Sequence, residues 1–359
     1  LIASINDGVR MMRSIFLINR ISMALTIAWV LAIAVLCTSA SVLAANVDGL
    51  YDVVVLPTQK PGDSSFAEAL RQVAVRVSGS RDAAVRVMAN KPDALRYTQK
   101  INLHPQGYPE GSVQVEFGGA IFDKMLTTAG LPIWGRERPA IAVWLAVPDS
   151  AGRLGWLGAD DRTAERDALQ AVALERGLPL VWPTMDAADL ATAAGLNASG
   201  RSYAQLMASG ERYRADAVLY GVATRDGAGS LSVRWSFAFN DEVTELQSGL
   251  DEGMQNAADR CARVLAIAPG ARAVVAMQLN GIRDLDAYAR ALNYLEGVTL
   301  VTAGGVAVEQ LRGEELDLRL TVRGDANALR RTLGLGKRLV EVKSDTPTAG
   351  DRLVFRWAQ

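Results

Sequence analysis

The chain carries one histidine and two cysteines among 359 residues. That scarcity excludes most metal centres and most histidine-dependent catalysis, because zinc sites, triads and acid–base pairs draw on those side chains. An excess of one charge is also missing: 38 basic residues face 39 acidic ones, for a formal charge of −1. Without a basic surplus the chain does not read as a nucleic-acid binder or a polybasic membrane ligand. Half the residues are hydrophobic and 21% are charged, an ordinary globular balance that excludes disordered and coiled-coil compositions.

The motifs that would carry chemistry are missing too. Gly334-Leu335-Gly336-Lys337-Arg338 contains G-x-G but lacks the third glycine and the strand-then-helix setting, so it reads as a post-helix turn. There is no G-x-S-x-G elbow to work with His104, which sits in the loop Leu103-His104-Pro105-Gln106-Gly107 with no partner in view. Cys261 shares a helical stripe with Met254, Ala257, Ala258, Val264 and Leu265, and so reads as a core thiol rather than a nucleophile. Asp284-Leu285-Asp286 stands where helix-capping carboxylates belong. The expectation is a protein without metal, cofactor or catalytic set.

What is present begins with an address. Arg13 and Arg20 precede the charge-free run Ile21 to Val47, whose most apolar part is Ile21 to Leu36. Small residues follow, ending in Val42-Leu43-Ala44. A basic stretch, a short apolar core and small residues at −3 and −1 describe a secretory signal peptide over 1–44, cleaved after Ala44. Translation would then start at Met11, Met12 or Met23, with 1–10 an upstream extension. The alternative is an uncleaved inner-membrane anchor over 21–45, since the uncharged run has the length of a span. Cleavage leaves a slightly acidic mature chain with one cysteine, Cys261, hence no intramolecular disulfide. The destination that follows is a bacterial periplasm.

Three modules are predicted beyond it, at 45–138, 139–269 and 270–359. In the first, Tyr51 to Leu56 and Val113 to Phe117 read as strands. Phe66 to Ser78 reads as a helix with a Ser65/Glu68 capping box and Gly79 as its stop, and Ala120 to Ala129 as a second. In the middle module, Ile141 to Val147 is a continuous apolar run, typical of a strand buried on both faces. Thr163 to Arg176 reads as a helix capped by Asp160 or Asp161, followed by strand 180–182, a helix around Tyr203 to Arg212 and strand 217–222. That alternation implies right-handed crossovers and a parallel sheet, extended by an antiparallel strand over Leu231 to Phe239 and closed by a helix from Met254. The third module reads as strand 273–279, helix 285–295, strands 298–302, 306–311 and 316–322, helix 326–333 and final strands 339–342 and 353–357. The order is close to the β-α-β-β-α-β split motif of ferredoxin-like folds. The fold class is therefore α/β and α+β, in an exported multi-module protein.

Most tryptophans fall in predicted strands, where burial is the default. Trp134 differs, because Gly135-Arg136-Glu137-Arg138-Pro139 follows it. Aromatic and arginine residues together form the usual anchors of an interface, so Trp134, Arg136, Arg138 and Pro139 are the candidate interaction segment, with an inter-domain hinge as the alternative.

Three patches carry a resemblance. They are Val77-Ser78-Gly79-Ser80-Arg81-Asp82, the run Gly130-Leu131-Pro132-Ile133-Trp134-Gly135-Arg136-Glu137-Arg138-Pro139 leading into Ile141 to Val147, and Tyr213-Arg214-Ala215-Asp216-Ala217-Val218-Leu219-Tyr220-Gly221. Together they resemble the proteobacterial domain-of-unknown-function family 2066, over nearly the whole mature chain. The resemblance implies an exported Gram-negative protein and assigns no catalytic residue. The third patch with the Trp235 strand is similar to the N-terminal domain of the TolB translocation protein and to the middle domain of a flagellar T-ring protein, which implies an accessory role through binding. The expected function is a non-enzymatic periplasmic scaffold with an envelope protein as partner. The alternatives are a small-ligand-binding module using the carboxyl ends of the parallel strands, and a hydrolase whose residues the sequence does not name.

Overall fold

A computed structural model describes residues 47–358 apart from 48, 58–64, 91, 199–201, 228, 336–337 and 343–351. The signal-peptide or anchor segment, Cys37 and part of the 334–338 turn lie outside the described residues. Among the described residues, no helix is long and apolar enough to cross a membrane.

Three sheets, each with helices packed on it, give the mixed α/β and α+β class that the patterning predicts. The first sheet is antiparallel, in the order β1 (Asp52–Val55), β3 (Val113–Phe117), β2 (Thr98–Asn102). Helices α1 (Ser65–Ser78) and α3 (Gly119–Thr128) cover it, with the short α2 (Ala83–Met88) beside α1. The apolar face of α1, Leu70, Val73 and Val77, meets Val115, Phe117 and Phe122 in a closed core. Ser65 is the first residue of α1 rather than its cap, and Glu68 grips Arg71 and Gln72 further along the helix.

The second sheet runs β5 (Leu154–Trp156), β4 (Ile141–Pro148), β7 (Ala217–Arg225), β8 (Leu231–Phe239), β9 (Glu242–Ser248), with β6 (Leu180–Val181) also against β4. β4, β6 and β7 are parallel and the remaining pairs antiparallel. The apolar run in β4 has the expected reason, because both of its faces are covered. Ile141, Val143 and Leu145 pack under α4 (Ala164–Arg176) and α7 (Leu250–Leu265). Ala142 and Trp144 pack under α5 (Ala187–Ala198) and α6 (Tyr203–Glu211). Two caps differ from expectation. Thr163, not Asp160 or Asp161, accepts the Arg166 N–H at the start of α4, and the chain's described capping box is Ser202/Gln205 on α6.

The third sheet is ordered β11 (Val301–Arg312), β12 (Glu315–Arg323), β10 (Arg272–Asn280), β14 (Leu353–Trp357), β13 (Leu339–Glu341), with α8 (Leu285–Gly297) and α9 (Ala326–Gly334). The ferredoxin-like expectation needs two corrections. The two strands predicted over 298–311 are one bulged strand, β11, whose register shifts around Gly304-Gly305. The last strand, β14, runs parallel to β10 and separates it from β13, so a fifth strand is inserted into the split motif. Burial explains the choice: Leu353, Phe355 and Trp357 alternate into the core, whereas in β13 only Leu339 does, and β13 therefore takes the edge.

Candidate functional site

The three sequence patches meet in one place, at the C-terminal ends of α1 and α4. Both helices stop at a left-handed glycine, Gly79 (φ 70°) and Gly177 (φ 67°). Helix ends leave carbonyl oxygens without intrahelical partners and carry the negative end of the dipole. Here three buried arginines supply the donors. Arg76 reaches Glu175 O at 3.0 Å and Asp52 O at 2.6 Å. Arg138 reaches Arg76 O and Trp134 O at 2.9 Å and Gly135 O at 2.7 Å, with Arg176 O further off at 3.4 Å. Arg176 reaches Gly79 O at 2.8 Å, Gln255 Oε1 at 2.5 Å and Asp259 Oδ1 at 2.7 Å.

Arg138 and Arg176 are both 0% exposed. Burying cations is costly unless their N–H groups are satisfied. Here carbonyls do most of that work, and Asp259 is the carboxylate paired with Arg176 and with Arg81. Among the described residues, every acceptor of Arg138 is a carbonyl. Burial first, then the neighbouring Arg76 and Arg176 charges, push its pKa well down. Its guanidinium lies 3.6 Å from the centre of the Trp134 ring, a cation–π contact shielded from water.

The patches interlock around this cluster. Trp134 N–H donates to Val77 O at 2.7 Å, and Trp134 covers Gly79 so closely that a Cβ there would stand 2.9 Å from the ring and 2.4 Å from the Ala262 Cβ. Ser78 Oγ turns back to Ala74 O, and Arg81 ties the same loop to Glu252 and Asp259 on α7. Asp216 accepts the Ala140 N–H at 2.9 Å and its own N–H donates to Ala140 O, which binds the third patch to the start of β4. Ile133 and Ile267 form an isolated antiparallel bridge, so the segment entering the second sheet pairs with the segment leaving it. Gly135 abuts Thr299 of the third module, and Glu137 Oε1 accepts the Thr299 N–H at 2.8 Å.

Of the predicted interaction residues, Trp134, Arg138 and Pro139 are inside the protein and only Arg136 is exposed. Burial of Trp134, Arg138 and Pro139 agrees with the alternative of a hinge packed between modules, and its physical cause is that the arginine finds its acceptors in backbone carbonyls, two of them at helix ends far away in sequence, which composition does not reveal. The other chemical candidates also find plain places. His104 is in an exposed loop, its N–H bonded to Asn102 Oδ1. Cys261 is fully buried, and burial pushes its thiol well up. Asp284 caps α8 through the Ala287 N–H. Among the described residues no group of His, Cys, Asp and Glu is arranged to hold a metal ion.

The surface beside the junction is more open. A cleft of about 650 Å³ separates β1 from α4, lined among others by Val54, Leu56, Tyr108, Gln170 and Leu174. β1 is an edge strand. Phe117 N–H donates to Tyr51 O, so Tyr51, Val53 and Val55 turn their backbone groups to β3, and Asp52, Val54 and Leu56 turn theirs outward. Asp52 is occupied by Gly49 O and Arg76, which leaves Val54 without a backbone partner on that side among the described residues. Leu56 is 52% exposed and Leu174 68%. Sequence reading missed this edge because β1 itself alternates like any half-buried strand.

The family described as a domain of unknown function, DUF8605, matches residues 44–135. The match spans the first sheet with its helices and stops beside Trp134. It is a different family from family 2066, the one expected from the sequence. No curated protein and no solved structure matches the chain.

Proposed function

We propose that the chain is a non-enzymatic accessory protein of the Gram-negative cell envelope, acting in the periplasm as a scaffold that binds another envelope protein in an extended conformation. The observation that supports this reading best is the open edge of β1 facing the exposed Leu174 across the cleft. A strand edge gives a partner backbone hydrogen bonds, and flanking apolar side chains give it specificity, the physics of β-augmentation. The arginine junction serves this by fixing α4 against the first sheet, so that the two walls of the cleft keep their spacing. Export rests on the pattern over 1–44.

A photocrosslinking residue at Leu174, in intact cells, should give one discrete adduct, and the same residue at the exposed Leu285 on α8 should not. Val54→Pro deletes only the outward N–H of an edge strand, which sheets tolerate. It should abolish the adduct while leaving the fold intact. An adduct that persists in Val54→Pro, or one equally strong from position 285, sinks the proposal. N-terminal sequencing of the mature protein should begin at Ala45; a chain that retains residues 12 or 23 would place it on the inner membrane instead.

A further inference from the structure

A second cleft, of about 330 Å³, opens between the first and third sheets. Its charged walls come from three elements: Asp123 and Lys124 on α3, Arg272 at the start of β10 and Arg323 at the end of β12. Arg272 and Arg323 are direct cross-strand partners in the antiparallel register, so their side chains leave the sheet on the same face. Like charges in that position repel, and a fold without use for them would have little reason to hold them there. The counter-charge present is small. Asp123 is the acid in the lining; it accepts the Tyr51 hydroxyl at 2.6 Å and lies 3.7 Å from Arg323. Arg323 also donates to Thr299 O. Neither Lys124 nor Arg272 has an ion pair among the described residues. The rest of the lining mixes the apolar Ile133, Ile267 and Pro269 with the hydroxyl-bearing Thr127 and Thr299.

We infer that this cleft binds a small phosphoryl group, held by Lys124, Arg272 and Arg323 at the seam of the first and third modules. Arginine presents a planar fork that matches phosphate oxygens, and lysine adds a point charge. The volume sits at the low end of small-molecule sites, enough for a phosphate ester with a short organic part. Because Lys124 belongs to α3 and the arginines to β10 and β12, the ligand would bridge the two modules. Asp123 is the opposing charge, and a ligand there would compete with it for Arg323. The inference is independent of the proposed docking groove, with which this cleft shares no lining residue.

The test is titration calorimetry of the mature chain with inorganic phosphate and with glycerol phosphate, against sodium chloride at equal ionic strength. In parallel, the chain is sedimented with vesicles of phosphatidylglycerol and of phosphatidylcholine. Lys124→Gln and Arg272→Gln change exposed side chains and leave the fold in place. Each should weaken binding by about tenfold, the loss of one charge-assisted contact. Arg290→Gln, in a different cleft, should not weaken it. Heat from the soluble ligands identifies a free phosphate or its ester as the source; sedimentation with phosphatidylglycerol alone identifies a lipid headgroup. Absence of binding in every arm, or affinity unchanged in both cleft variants, overturns the inference.

Discussion

Removing the Arg138 side chain would leave the carbonyls of Arg76, Trp134 and Gly135 buried without their donors. Breaking a buried charged network by removing one member costs about 3–5 kcal/mol. Arg138→Ala should therefore lower the urea-unfolding stability by that order. Arg138→Lys should recover little, because a single ammonium cannot span carbonyls on two helix ends and a linker as the planar fork does. Recovery of most of the stability by lysine would show that the charge, not the fork, matters. The same scale shows what was readable. Cys261 announced its burial through its neighbours at helical spacing. Arg138 did not, because each of its acceptors is a main-chain oxygen and any residue type could supply one.

At the scale of elements, legibility followed burial. β4, β8, β12 and the helices α1, α7 and α8 carry an unbroken apolar pattern because one or both faces meet the core. β2, β5 and β9 were not foreseen; their residues Thr98–Asn102, Leu154–Trp156 and Glu242–Ser248 are largely exposed, so no alternation records their pairing. The helix α5 was missed for a related reason, since an alanine-rich stretch shows little contrast between faces. Local chemistry still matters where the pattern is clear. Thr163→Ala removes the hydroxyl that accepts the Arg166 N–H at 3.3 Å and should cost about 1 kcal/mol, read as a lower urea midpoint. Leu174→Asp on the same helix should change stability by no more than about 0.5 kcal/mol, since the side chain is 68% exposed, while removing the adduct formed by a photocrosslinking residue placed at Leu56 in the same cleft.

For the whole molecule, the described residues of the three modules belong to one compact unit, and the junction lies between their cores. Unfolding followed by calorimetry should show a single transition, and Arg138→Ala should split it as the first sheet separates from the second. A split transition in the unaltered protein would contradict the coupling. Alkaline pH probes the interior of all three modules. Burial raises the Cys261 thiol above its ordinary 9.0, raises the Tyr51 hydroxyl above 10.0, and pushes Tyr294 up to about 12. A raised folded pKa means that the unfolded chain releases its proton first, so stability is complete at low pH and declines as pH climbs. The urea midpoint should fall from about pH 9 upward, and Cys261→Ala should remove the earliest part of that fall. By itself the sequence determined the class of fold, most of the covered elements and the absence of familiar catalytic and phosphate-loop motifs, because helix and strand periodicity and side-chain chemistry are local. Only the tertiary structure decided that the Trp134–Pro139 segment is an interior clamp, that β14 enters the third sheet, and that Arg272 and Arg323 stand side by side, because each depends on which distant backbone and charge are brought within a few ångströms.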